Sequence, residues 1–235
     1  MRLLGSPRFA QAREIPVTFG PCLARAAAAA LAVAAATIEP AMAHPHIWVE
    51  VQSGLHVDAA GRIDAVEQAW RFDQDYSDFA LAGLDTNRDG RFSAKELAPL
   101  RAEMAESLPA SHYLTTFSVD GLARNLKPAS SLEVAVEQGR LAVHLTLPVE
   151  EPVDPRAHEV TLATYDETYY VAFDLARDQP ARLTGEVPTG CRTVIEPPRG
   201  ARDQVMLSDK LAFNLDLARS FALDFTSTIA VRCAP

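Results

Sequence analysis

The chain has 235 residues, 48% of them apolar, and a formal net charge of −9 from 22 basic and 31 acidic side chains. That length buries the core of one or two domains, and ordinary apolar content without a Gly- or Pro-based repeat excludes a disordered, collagen-like or multi-span membrane chain. The acidic balance excludes a broad nucleic-acid-binding surface.

Residues 1–43 read as a cleaved secretory signal peptide. Arg2, Arg8, Arg13 and Arg25 precede an almost uninterrupted apolar run from Ala26 to Ile38, and Ala41-Met42-Ala43 offers a small-x-small cleavage site. The run is shorter than the ~20 residues a helix needs to cross a bilayer, so no stable membrane insertion is expected after cleavage; an uncleaved anchor is the alternative. No adjacent Arg pair is present, which favours the general secretory route over the twin-arginine one. Cleavage makes His44 the first residue and removes four Arg and two Glu, taking the net charge from −9 to −11. It also removes Cys22, leaving Cys191 and Cys233 as the only thiols in an oxidising compartment, where a disulfide between them is the simplest outcome.

The remainder, residues 44–235, is expected to form a single β-rich domain. Ile47, Val49 and Val51 alternate with His46, Trp48 and Glu50; Val66, Trp70 and Phe72 share one parity; Leu141, Val143, Leu145 and Leu147 alternate with Ala142, His144 and Thr146. Further strands are predicted from Tyr113 to Val119, Leu132 to Val136, Val160 to Tyr165, Tyr169 to Phe173 and Thr226 to Arg232, with turns at Ala60-Gly61, Asp120-Gly121, Gln138-Gly139 and Pro197-Pro198. From Tyr76 to Leu108 the apolar spacing turns helical, through Tyr76, Phe79, Ala80 and Leu84 and then Leu97, Leu100, Met104 and Leu108. A weaker helix is expected between Asp203 and Phe221. The predicted class is α+β, mainly β: an antiparallel β-sandwich with an EF-hand-like helical hairpin inserted at about residues 74–108.

Between the two helical patterns, Asp85-Thr86-Asn87-Arg88-Asp89-Gly90-Arg91-Phe92-Ser93-Ala94-Lys95-Glu96 fits a twelve-residue EF-hand loop. Asp85, Asn87 and Asp89 supply side-chain oxygens, Arg91 its carbonyl, Ser93 a hydroxyl acting directly or through water, and Glu96 a bidentate carboxylate, while Gly90 permits the sharp turn. A hard cation that takes six to eight oxygens suits this set, so calcium is the expected ion. Ser93 and Glu96 also read as a helix capping box, and Asp85 to Gly90 as a polar turn, a structural reading that leaves the Asp-x-Asn-x-Asp-Gly series unexplained. Three carboxylates and no partner loop suggest weak affinity and a structural ion.

At the predicted new terminus, His44-Pro45-His46 brings together an α-amine and two imidazoles, a chelate for zinc, nickel, cobalt or copper. Pro45 has no amide proton, which removes the square-planar terminal geometry that takes the second residue's nitrogen. Two exposed histidines on a plain terminus is the structural alternative. His144 is expected on a solvated strand face, and His56, His112 and His158 near strand ends or turns. In Tyr165-Asp166-Glu167-Thr168-Tyr169-Tyr170 the acidic pair is read as a turn and the tyrosines as packing or hydrogen-bonding groups.

Taken together, His44-Pro45-His46-Ile47-Trp48-Val49, Trp70-Arg71-Phe72-Asp73 with Tyr76-Ser77, the Asp85 to Glu96 loop, Tyr165-Asp166-Glu167-Thr168-Tyr169-Tyr170-Val171-Ala172-Phe173 and the late cysteines resemble the bacterial periplasmic family called domain of unknown function 1007. Glu167 departs from the family pattern, which often has Pro there. The resemblance spans residues 44–235 and implies a periplasmic component of an ABC-type transport system, many members accompanying nickel, cobalt or zinc transporters. The function expected is therefore an exported, non-enzymatic metal-binding accessory. His44 and His46 would hold Zn2+, Ni2+ or Co2+, the loop would hold Ca2+, and Trp48, Trp70 and Phe72 would be buried to fix the terminus; an inner-membrane metal transporter is the expected partner. The alternatives are a calcium-stabilised protein-binding module of the cell envelope and a copper histidine-brace enzyme with Tyr169 beside the metal. No Gly-x-Ser-x-Gly, His-Glu-x-x-His or phosphate-loop motif supports another chemistry.

Overall fold

Alternating apolar residues in the first two strands set the architecture. In β1 (Ile47–Val57) and β2 (Ile63–Phe72), Ile47, Val49, Val51, Leu55, Val57, Ile63, Val66, Trp70 and Phe72 all face the core. The computed structural model describes residues 46–198 and 226–234, all within the compact unit Ala43–Pro235. The predicted signal peptide, His44, Pro45 and the weak helix between Asp203 and Phe221 lie outside the described residues. The other elements are α1 (Gln74–Leu81), α2 (Ala98–Ser107), a 3-10 segment (Leu108–Leu114), β3 (Thr115–Val119), β4 (Leu122–Arg124), β5 (Ser131–Glu137), β6 (Arg140–Val153), β7 (Val160–Thr164), β8 (Val171–Leu175), β9 (Ala181–Gly185), β10 (Cys191–Glu196) and β11 (Thr228–Cys233). Among the described residues no helix is long and apolar enough to cross a membrane.

Two sheets share one core. The first runs β5-β6-β2-β1-β8, with β9 also paired to β1; the second runs β10-β11-β7-β3-β4. Leu141, Val143, Leu145 and Leu147 of β6 join Phe117, Leu162, Ile229 and Val231 of the second sheet in a single apolar cluster. A buried polar chain ties the sheets within it. Ser53 Oγ donates to Gln68 Oε1 at 2.8 Å, and Gln68 Nε2 donates to Thr164 Oγ1 at 2.8 Å and to Thr115 Oγ1 at 3.2 Å.

The mainly β class is as expected, with three differences. First, the sandwich is not wholly antiparallel, because β8 and β9 both pair parallel to β1, end to end along it. Second, the helical hairpin expected at 74–108 is not formed as an EF-hand. Gly83, at φ +79°, follows the end of α1, and only a single turn, Leu97 N–H to Ser93 O at 3.0 Å, precedes α2, whose Pro99 has no amide hydrogen. Third, strand limits shift where side chains capture the backbone. His112, Tyr113 and Leu114 all have positive φ, so the strand expected from Tyr113 starts at Thr115. Likewise the strand expected from Tyr169 starts at Val171, because the Asp166 carboxylate holds the amides of Thr168, Tyr170 and Val171.

Candidate metal centre

The described part of the terminal motif is His46, exposed at the entry to β1. Its backbone N–H donates to Tyr170 O at 2.9 Å and its ring lies 5.0 Å from the Tyr170 ring, so this end of β1 is seated on the segment leading into β8. Asp73 secures it from the other side. As N-cap of α1 it accepts the Tyr76 N–H on Oδ1 at 2.8 Å, and on Oδ2 it accepts the Trp48 N–H at 2.7 Å; its own N–H donates to Trp48 O at 2.8 Å. Ser77, fully buried, donates from Oγ to Asp73 O at 2.5 Å and accepts the Leu141 N–H at 2.9 Å, pinning α1 to β6. Tyr76 stacks on Phe72, and its hydroxyl is pushed to higher pKa by burial first and then by the neighbouring Glu103, Tyr170 and Asp73. Thus the sequence motifs around His46, Asp73 and Tyr170, about 125 residues apart at the extremes, meet at one end of the first sheet.

Two of the three aromatic anchors behave as expected: Trp70 and Phe72 are buried, at 2% and 7% exposure. Trp48 is not, and the expectation of burial is corrected. It is 49% exposed, because it shares the parity of His46 and Glu50, whose side chains leave the sheet on the outer face.

The Asp85 to Glu96 segment is a tightly bonded loop. Asp85 accepts the Asp89 N–H at 3.2 Å and the Gly90 N–H at 3.0 Å, Asn87 Oδ1 the Asp89 N–H at 2.9 Å, and Asp89 Oδ1 the Arg91 N–H at 2.8 Å. Glu96, 8% exposed, closes the loop: Oε1 accepts from Thr86 N–H and Oγ1 and from Asn87 N–H, and Oε2 from Ser93 N–H and Oγ. Those contacts, led by the Ser93 amide and hydroxyl, lower the Glu96 pKa to about 2. Among the described residues no three His, Cys, Asp or Glu side chains converge on a common point. The loop carboxylates accept backbone amides, and Ser93 with Glu96 forms the capping box.

The remaining candidates are dispersed. His56 pairs with Asp64 at 2.6 Å, His144 with Glu137 at 2.7 Å and His158 with Asp120 at 2.8 Å, all on solvated faces, and His112 is exposed in the left-handed turn. Tyr165 is buried and takes a hydrogen bond from Thr116 Oγ1 at 3.3 Å. Tyr169 has φ +57° and a hydroxyl pushed up to about 12 by partial burial first and Tyr165 second. Cys191 and Cys233 are directly opposite on β10 and β11 and form the disulfide. Sequence reasoning missed the roles of Asp73 and Ser77; the signal was Asp73 standing three residues before Tyr76 at a helix start, an N-cap pattern. No curated protein matches the chain. A family model described as Protein of unknown function (DUF1007) matches residues 29–233, and the chain belongs to that family.

Proposed function

We propose that the protein is an exported periplasmic accessory that binds a transition metal for an inner-membrane transport system and carries a calcium-binding loop. The observation that carries this reading is the seating of His46. Its backbone is fixed by Tyr170 and its strand by Asp73, while the residue itself stands exposed, so its imidazole can meet an ion from solution without refolding the sandwich. With His44 and a free α-amine this gives three nitrogen donors of the kind that Zn2+, Ni2+ and Co2+ accept. For calcium, the support is the order of oxygen groups in the loop, Asp85, Asn87, Asp89, the Arg91 carbonyl, Ser93 and Glu96. Calcium would draw the Glu96 carboxylate away from the Thr86 and Asn87 amides that it now accepts.

The test is equilibrium dialysis of the terminally processed protein against Zn2+, Ni2+ and Co2+, with mass spectrometry establishing His44 as residue one. A loss of about one bound ion per chain in the His44→Ala/His46→Ala double variant is expected; equal binding by the two proteins refutes the transition-metal site. Calcium bound by both, and abolished in Glu96→Gln, is expected for the loop. A second reading, a calcium-stabilised protein-binding module, is favoured by the exposed Trp48 and Tyr170.

A further inference from the structure

The outer face at the β1–β8 edge has a composition that the metal reading does not use. In the parallel register of these strands Trp48 stands beside Ala172 and Glu50 beside Asp174, with the His46 and Tyr170 rings 5.0 Å apart at the end. Trp48 and Tyr170 are 49% and 48% exposed. On the β8 side the register places Ala172, which carries a single methyl group, beside the half-exposed indole. The next pair along puts two carboxylates side by side on strands about 4.8 Å apart, an unfavourable like-charge juxtaposition. Glu50 is compensated by Arg71 at 2.6 Å, whereas Asp174 enters no ion pair among the described residues. β8 is the last strand of its sheet among the described residues.

We propose that this face docks a basic side chain, arginine above all, of an extended segment of a polypeptide partner. The guanidinium lies over the Trp48 indole, its stem crosses Ala172, and its charge is met by Asp174. An exposed aromatic face and an exposed carboxylate each favour a cation, and an organic cation on a long stem satisfies both at once. The net charge of −9 steers such a partner in. The proposal does not depend on the metal reading.

The experiment titrates the full chain, treated with EDTA, with fluorescein-labelled tetra-arginine amide at low salt, reading anisotropy. Trp48→Ala and Asp174→Asn are each expected to weaken binding about three- to fivefold, and Trp48→Phe less than Trp48→Ala. Glu151→Gln, which removes an equal charge at the opposite end of the sheet, is expected to change little. Circular dichroism checks that each variant is folded, and because Trp48 and Asp174 are exposed their replacement leaves the core untouched. Equal weakening by Glu151→Gln, or wild-type binding by Trp48→Ala and Asp174→Asn, overturns the proposal. So does a concentration-dependent dimer lost in Trp48→Ala, which makes a second copy the occupant, or Trp48-dependent binding to phosphatidylcholine vesicles.

Discussion

Asp73 ties α1 to the entry of β1, and its removal has a calculable cost. The carboxylate accepts two backbone amides, Tyr76 at 2.8 Å as helix cap and Trp48 at 2.7 Å across the chain. Loss of an N-cap costs about 0.5–2 kcal/mol, and a hydrogen bond to a charged group contributes about 1.5–3 kcal/mol. The Trp48 contact is at the solvent boundary, so the lower halves apply, and Asp73→Ala is expected to destabilise by about 2–3.5 kcal/mol. In a chain of this size each kcal/mol moves the midpoint about 2–4 °C, giving a fall of roughly 4–14 °C. Asp73→Asn, which keeps one good acceptor oxygen, is expected to lose about half as much. Urea denaturation with an unchanged m-value is the assay, paired with dialysis of the transition metal, whose affinity should fall because the Trp48 amide near His46 loses its acceptor. An Asp73→Ala variant within 0.5 kcal/mol of wild type would refute the argument that one side chain locks α1 to β1.

Gln68→Leu removes the hub between the sheets and leaves Ser53 without its acceptor, so a loss of about 2–4 kcal/mol by urea denaturation is expected, part of it recovered in Ser53→Ala/Gln68→Leu. Glu96 titrates at about 2 when folded against an ordinary 4.5, so its contribution is complete above pH 4.5 and is lost as pH falls toward 2; Glu96→Gln should flatten that acid limb in a pH series of melting curves. Reducing the disulfide, or replacing both cysteines by Ala, frees a closure of 42 residues and is expected to lower stability by about 2–4 kcal/mol, while His46-dependent metal binding persists.

Much of the sandwich was legible because alternation is a local property: Leu141 to Leu147 and Ile47 to Val51 state their faces outright. The same alternation placed Trp48 outward, and only the supposition that an aromatic near a terminus must anchor it said otherwise. Unread features have nonlocal or captured-backbone causes. Nothing within Ala181-Arg182-Leu183-Thr184-Gly185 announces a strand, since its identity comes from pairing with β1. The positive φ of Tyr113 and Leu114 contradicts their strand preference and persists because Thr115 Oγ1 donates to Tyr113 O, and Leu114 O accepts the Tyr165 N–H. The loop from Asp85 announced its oxygens in order, but ligand order does not specify helix length, and Gly83 and Pro99 kept the flanking helices apart.

The end-to-end pairing of β8 and β9 along β1 also bears on how the molecule folds. β1 has eleven residues and finds β2 at once through a short hairpin, but its other edge is filled only by residues 171–185. Parallel pairing across more than a hundred residues closes a far longer loop than the hairpin does, so β8 and β9 are expected to join β1 after β2 has. In that interval its open edge is a template for any other extended chain, a hazard that a chaperone bound to β1 would suppress until the last third of the chain arrives.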